Sequence, residues 1–559
     1  MRLESVIAAT GGKTVVKGEE SYLSREIRRV ITDSRLLKSG LGNGPSGAES
    51  AGEDFSDAAF LAIKGEKFDG NDFIGEAVSK GVALVVAGPC EEKIRAAAGA
   101  SARTWIVSCE DTLKAYGNIA KASRAANPEL KICGVTGSVG KTTCKEYVLK
   151  ALSSCVPAQG TKANFNNEVG VPATVLGISD TSRAAVVEMG MRGLGQIAYL
   201  ADIVRPDVAI ITNIGAAHME LLGSMENTRR AKLEIAQGMG PGNTLILNGD
   251  DGLLSDTEAV DAILREYGAS PSIIRFGMNE NDGRRPEVFA GDIEPFVGGV
   301  KFKLYIDGAF FADASIGMSG RHNVYAALAA VAAAKTLGFP ENDIREKVLP
   351  AIASLTPESI GRQRVAEYGG CMIIDDCYNA GPESVKAQLE VLANLPVGEG
   401  GRRVAFLGDM LELGPVSELE HIAVGQKCAA LGIDTVVCVG DRARDIGFGG
   451  ARHRSKTEFF FVADSGAAAE RAAEFVRRGD AVLVKGSHAM HMEKISDRLK
   501  TGACATEQPA NFRETGRFGE ERIFPGKADI SGKSGYFREN GGNFRDKSFL
   551  LSEKTAKNR

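Results

Sequence analysis

The sequence predicts an α/β protein built on more than one open, mainly parallel sheet. Three observations carry that expectation. From about Asp111, short apolar and β-branched runs such as AAVVEMG, VAIITNI and NTLILNGD alternate with helical stretches. Buried parallel strands read as continuous apolar runs of this kind. After Pro357 the alternation starts afresh, with CMIIDD, RRVAFLGD, DTVVCVG and AVLVKGS as strands and ESVKAQLEVLAN and GAAAERAAEFVRRG as helices. Finally, 559 residues exceed what one core organises, so roughly two to four domains are expected.

Taken in order, residues 1–110 mix short strands and helices. Within them LGNGPSGAESAGEDFSDAA, residues 41–59, is rich in Gly, Ser and acid and predicts a mobile loop insertion. Residues 111–355 form the first alternating domain. It closes with an alanine-rich helix, NVYAALAAVAAAKTLG, stopped by Gly338 and Pro340. Residues 356–505 form a second, doubly wound domain, and a hinge is expected near Thr356 to Gly361. From residue 506 the chain turns polar, glycine-rich and mildly basic, and 506–559 are expected to be a disordered tail.

Composition narrows the function classes. Hydrophobic content of 43% and charge of 25% are ordinary for a globular protein. A formal net charge of −5 gives no general attraction to nucleic acid or acidic membrane. No apolar run approaches the ~20 residues of a membrane span. The start, MRLESVIAATGGKTVV, lacks a charged segment followed by an apolar one, so a cytoplasmic protein is expected. Ten scattered cysteines without a C-x-x-C pair fit buried reduced thiols better than disulfides or zinc.

The chemistry begins at ICGVTGSVGKTTCKEYVLKAL, from Ile132 to Leu152. A Walker A loop reads G-x-x-x-x-G-K-S/T. Gly140, Lys141 and Thr142 fit its end, but Val135 stands at its first glycine. The physics survives the mismatch: a strand, a turn from Gly137 to Gly140 with exposed N–H groups, then a helix whose N-terminus faces an anion. Lys141 can reach phosphates and Thr142 can ligate Mg²⁺. The plain alternative is an ordinary strand-to-helix turn. Glu188 ends the strand-like VVEMG, where an unpaired buried carboxylate would be costly. His218 follows another strand end, where ligands gather in α/β sheets. Lys232, by composition alone, reads as a solvated helix lysine. Asn164, Asn166 and Asn167 sit in the amide-dense stretch TKANFNNEVG.

The form T-G-x-x-G-K-T-T, Thr136 to Thr143, resembles the Mur ligase superfamily of ATP-dependent amide-forming enzymes. The likeness runs from about residue 20 to 500. N-F-N-N-E-V-G-V-P resembles the family loop facing substrate and phosphate, which implies Asn166 and Asn167 as contacts. G-R-H-N at 320–323 resembles a helix start that implies Asn323 against adenine. D-D-C-Y-N-A resembles a C-terminal segment supplying nucleotide contacts, here Asp376, Tyr378 and Asn379. T-D-S-R and K-G-E-K-F-D-G resemble a uridine-nucleotide domain, implying Ser34, Arg35, Lys64, Asp69 and Gly70. The resemblance further implies ATP held by Gly137, Ser138, Val139, Gly140, Lys141, Thr142 and Thr143. It implies Mg²⁺ with Thr142, Glu188, His218 and Lys232, the lysine as an N-carbamate. Lys141, His218 and Lys232 are then the expected catalytic set.

The implied fold is the three-domain Mur architecture: a UDP-sugar domain, a central P-loop parallel-sheet ATPase domain and a C-terminal Rossmann-like domain. D-D-C-Y-N-A and G-D-M-L-E-L-G resemble the branch that joins D-Ala-D-Ala to UDP-N-acetylmuramoyl-tripeptide in peptidoglycan precursor synthesis, acting as a monomer. Three departures stand out. Gly381 replaces the branch's Asn, His488 its Arg, and Asn71 its His. A ligase of another branch, adding a single amino acid, and an ATP-driven P-loop switch protein are the competing expectations.

Overall fold

The computed structural model describes residues 1–39, 54–65, 67–280, 285–296, 298–361, 364–453 and 455–502. Three sheets organise them. In the first, strands run in the order Lys13–Val16, Trp105–Ser108, Leu84–Ala87, Ala58–Leu61, Arg29–Ile31, all parallel except the outermost Lys13–Val16. The loop expected over 41–59 is corrected at its end. Residues 41–53 lie outside the described residues, but Phe55, Ala58 and Ala59 are buried and Ala58 opens a strand. A polar composition hid the apolar triplet that enters the core.

The second sheet has nine strands. Lys131–Thr136 lies between Ala184–Glu188 and Val208–Ile211, all parallel; the chain leaves it toward the edge strand Ala158–Gly160, but leaves its neighbour Val208–Ile211 the opposite way, toward Thr244–Asn248. That is the switch point at which open α/β sheets bind ligands. The hairpin strands Gly299–Ile306 and Ala309–Ile316 extend this sheet antiparallel on its far edge. The alanine-rich helix runs His322–Thr336, close to its expected span, and Gly338 follows with φ +81°. Its small side chains let it pack tightly with Tyr147, Val148 and Ala151 of the helix Lys141–Ser153 in one apolar core.

The helix Thr112–Ala125 starts at Asp111, whose carboxylate accepts the Lys114 N–H at 2.9 Å as an N-cap. Ala115, Tyr116 and Ile119 belong to the core of the first sheet, whereas Ala120 belongs to that of the second. Near its end, Arg124 bonds the Val204 carbonyl at 3.2 Å and Asp207 at 3.0 Å.

The third sheet follows the order Arg364–Tyr368, Cys371–Asp375, Ala481–Lys485, Arg403–Gly408, Thr435–Val439, Glu458–Val462, parallel apart from the first strand. Ahead of it, the helix Pro357–Ile360 is closed by a Thr356–Ser359 capping box, and Ile360 packs into the central core. The hinge expected near Thr356 to Gly361 falls on this short capped helix and on Gly361, where φ is +67°. The tail 506–559 lies outside the described residues. Among the described residues no helix is long and apolar enough to cross a membrane.

Candidate active site

The turn after Lys131–Thr136 is shaped by two glycines for different reasons. At Gly137, φ is +151° and a Cβ would stand 1.9 Å from the Thr212 Oγ1, a space no side chain can enter. Gly140 has open space around it, but its φ of +79° favours glycine. The expectation that the turn's own amides face an anion is corrected in part. The Ser138 N–H donates to the Asn213 carbonyl at 3.1 Å and the Val139 N–H to Asn213 Oδ1 at 3.0 Å. Asn213 Nδ2 and Thr212 Oγ1 donate in return to the Val139 carbonyl, at 3.0 and 2.7 Å. The donors left for an anion are the Gly140 N–H and those of the first turn of Lys141–Ser153, which have no acceptor within the helix. Lys141 Nζ folds back onto the carbonyls of Gly137 and Ser138 at 2.7 and 3.1 Å. Burial holds its ammonium below the ordinary lysine range, against the pull of Glu188.

This turn lines a cleft of about 1460 Å³ that joins the central and third sheets. Ser138, Val139, Gly140, Lys141, Thr142 and Thr143 line it; Gly137 does not, and its contribution is the shape of the turn. Glu188 and His218 open onto the same cleft, as do Asn166, Asn167, Asn323, Asp376, Tyr378 and Asn379. Glu188 is 2% exposed. Its Oε1 accepts from Asn166 Nδ2 at 2.8 Å, while its Oε2 is buried with no hydrogen-bond partner. Such an oxygen is costly unless a cation takes it, so the residue present fits a divalent ion. Asn167 is partly spent on local structure, its Oδ1 accepting the Gly170 N–H at 2.9 Å. Asn323 Nδ2 donates to the Ser319 carbonyl at 2.7 Å. Asp376 is neutralised by the buried Lys485 at 2.5 Å, and Lys485 also holds the Asn379 carbonyl at 2.8 Å.

Lys232 does not line the cleft, yet the solvated-lysine reading is overturned: it is 1% exposed, at the end of the helix Met225–Leu233. Burial first, then the neighbouring Lys141 charge, push its amine well below the ordinary lysine range. A neutral amine is the form that reacts with CO₂ to give a carbamate. His218 is also pushed down, by burial first and by the Lys232 and Lys141 charges, while Glu412 pulls it up. Its Nδ1 lies 2.6 Å from Glu412 Oε2. Both residues have left-handed backbones, φ +61° and +62°, a conformation that costs about 1 kcal/mol or more outside glycine.

The residues expected to meet a uridine nucleotide lie in the segments that follow the strands Arg29–Ile31 and Ala58–Leu61 of the first sheet, and none of them lines this cleft. Beside them is a smaller pocket of about 440 Å³, lined by Thr32, Ile63, Gly65, Lys67, Phe68 and Val169. The Arg35 side chain is 88% exposed and paired with Asp33 at 2.6 Å. Lys64 and Asp69 form a backbone bridge. At Gly70 a Cβ would meet the Ile63 carbonyl at 2.6 Å. Asn71 is structural, its Oδ1 accepting the Gly88 N–H at 2.9 Å.

Comparison with known proteins accounts for this arrangement. The profile described as Mur ligase family, catalytic domain, matches residues 55–137; the Mur ligase middle domain matches 135–334; the Mur ligase, glutamate ligase domain, matches 361–488. A UDP-N-acetylmuramoyl-tripeptide–D-alanyl-D-alanine ligase of Synechocystis sp. is 34% identical over 85% of this chain and 93% of its own. The chain belongs to the Mur ligase family. A crystal structure of MurF from Acinetobacter baumannii superposes with a TM-score of 0.73 at 29% identity, covering 89% of this chain and 98% of that one. MurF from Thermotoga maritima, solved in complex with ADP, gives 0.67 at 26% identity, covering 85% and 98%. The three-domain α/β architecture expected from the resemblance is thus that of the Mur ligases.

Reading the sequence missed Thr212 and Asn213, which brace the glycine turn. It also missed Lys485 as the counter-ion of Asp376, and Glu383 and Glu412, which reach the central sheet from the third. Asn213 had a signal, since it ends an apolar strand five residues before His218 in ITNIGAAH. Glu412 lies inside the G-D-M-L-E-L-G motif and Glu383 three residues past D-D-C-Y-N-A, but nothing in a sequence pairs them with the loop 214–220 so far away.

Proposed function

We propose that this chain joins D-Ala-D-Ala to UDP-N-acetylmuramoyl-tripeptide at the expense of ATP, in cytoplasmic peptidoglycan precursor synthesis, acting as a monomer. The observation that carries this reading is the single cleft in which a phosphate turn, an unpartnered buried carboxylate and residues of the third sheet meet. The relatives' printed names supply the substrates. In this reading residues 1–110 hold the uridine nucleotide through Ser34, Arg35, Lys64, Asp69 and Gly70. Residues 111–355 hold the ATP phosphates, and 356–505 cap the adenine and receive the dipeptide, leaving 506–559 as a tail.

Carboxylate oxygen is a poor leaving group, and amide formation in water is uphill. The tripeptide's terminal carboxylate attacks the γ-phosphorus of ATP, and ADP departs. The dipeptide amine then attacks the acyl carbon and expels inorganic phosphate, losing a proton to solvent. The protein's work is to hold these groups in line and neutralise their charge. Lys141 exchanges its carbonyl partners for phosphate oxygens, and the first-turn N–H groups of Lys141–Ser153 receive the others. Asn323, Asp376, Tyr378 and Asn379 contact the nucleotide, and Asn166 and Asn167 border the substrate. Thr142, Glu188, His218 and carbamylated Lys232 would hold magnesium, which supplies charge neutralisation between phosphate and carboxylate. Asn166 fixes the Glu188 carboxylate so that its free oxygen is presented.

The test is phosphate release from ATP with UDP-N-acetylmuramoyl-tripeptide, with and without D-Ala-D-Ala. Release that requires the nucleotide-sugar and rises on adding the dipeptide, with pentapeptide product by mass, is expected. Release indifferent to any amine would support a nucleotide switch, and preference for a free amino acid a different ligase branch.

A further inference from the structure

The loop 214–220 leaves the central sheet after Val208–Ile211 and ends inside the third sheet's core. Its Ala216 and Met219 are buried in the same apolar cluster as Leu407 and Met410. Polar contacts flank that anchor on both sides. Glu412, in the turn after Arg403–Gly408, places Oε2 2.6 Å from His218 Nδ1, and its carbonyl accepts the Glu220 N–H at 3.2 Å. Glu383, in the first turn of the helix Pro382–Asn394, accepts the Ala216 N–H at 3.2 Å through Oε1. Two glycines make the approach possible. A Cβ on Gly215 would lie 2.8 Å from Glu383 Oε1, and one on Gly414 2.8 Å from Glu220 Cα.

We propose that Glu412 is a positioning residue for His218, and that with Glu383 it latches the C-terminal lobe to the loop 214–220. This rests on the ligase reading above. A carboxylate accepting from Nδ1–H fixes one imidazole tautomer and leaves the Nε2 lone pair on the opposite side of the ring. Because the carboxylate belongs to the other lobe, His218 is set only when the lobes meet.

The experiment compares Glu412→Ala, Glu412→Gln and Glu383→Ala in the full chain. Glu412→Ala should lower kcat about 10- to 100-fold, the usual effect of losing such a partner. KM for ATP and for the nucleotide-sugar should stay within about threefold. Glu412→Gln keeps a neutral acceptor and should recover most of the lost rate. In nucleotide-free protein, ¹⁵N-imidazole spectra, assigned with His218→Asn, should show His218 protonated at Nδ1 in the parent and as a tautomer mixture in Glu412→Ala. Hydrogen exchange at the Ala216 amide should rise about tenfold in Glu383→Ala, as for the loss of one hydrogen bond. An unchanged His218 tautomer in Glu412→Ala, or a kcat within threefold of the parent, would overturn the proposal. Absence of dipeptide-dependent phosphate release in the parent would instead sink the ligase reading, with the spectra and exchange still deciding the latch.

Discussion

Replacing Gly137 with alanine tests the phosphate turn most directly. The new Cβ would lie 1.9 Å from Thr212 Oγ1, where ordinary contact begins near 3.4 Å, so about 1.5 Å of movement is required. Thr212 cannot yield freely, because its hydroxyl donates to the Val139 carbonyl at 2.7 Å. Overpacking of this kind costs about 1–3 kcal/mol, and a side chain at φ +151° adds about 1–3 kcal/mol of backbone strain. A mid-range sum of about 4 kcal/mol, expressed in the geometry of the phosphate site, corresponds to about a thousandfold loss of turnover. The steric and dihedral parts separate in a double-mutant cycle. Thr212→Ala alone removes one hydrogen bond, about 1 kcal/mol, or roughly fivefold in rate. In the double variant the hydroxyl is gone while the dihedral strain and the lost hydrogen bond stay, so it should run about fivefold faster than Gly137→Ala. The assay is dipeptide-dependent phosphate release at saturating substrates. Gly137→Ala within threefold of the parent, or a double variant no better than the single, would refute the reasoning.

Other outcomes follow from the same geometry. Lys141→Ala should reduce phosphate release at least about a thousandfold by removing charge from the transferring group; near-normal turnover would take the turn out of the chemistry. Lys232 should carry a carbamate: protein equilibrated with ¹³C-bicarbonate should give a carbamate carbonyl resonance that Lys232→Ala abolishes. His421 is fully buried, accepting the Met410 N–H at Nε2 (3.0 Å) and donating from Nδ1 to the Ser417 carbonyl (2.7 Å). Burial lowers its proton affinity below the ordinary 6.5. The unfolded chain therefore binds the extra proton, and the contribution to stability is complete above pH 6.5 and lost as pH falls through the folded value. Urea midpoints measured between pH 7.5 and 5 should fall for the parent and vary less for His421→Asn.

What the sequence announced was what local physics controls. The strand Lys131–Thr136, its turn and its helix fell close to where the apolar run and the Gly-Lys-Thr step put them. The alanine-rich helix kept its glycine stop because that signal is local too. What escaped depended on neighbours distant along the chain. Lys232 sits in MENTRRAKL, as polar a helix as the chain has, yet tertiary packing buries it. Asn166 reads as a loop amide until Glu188 is seen beside it. The end of the 41–59 segment was misread because window composition averaged away Phe55 and the two alanines that matter.

The helix Thr112–Ala125 is one unbroken element of 14 residues, about 21 Å long at 1.5 Å per residue. Its first turn is fastened to the Ala62 carbonyl, just past the strand Ala58–Leu61 of the first sheet, and its last to the Val204 carbonyl, at the end of the helix Gln196–Val204 that packs on the second. One helix thus ties the region of the N-terminal pocket to the sheet that carries the glycine turn. In the ligase reading proposed above, such spacing would act as a gauge for the sugar-linked peptide, its terminus meeting the phosphate turn only at the right length.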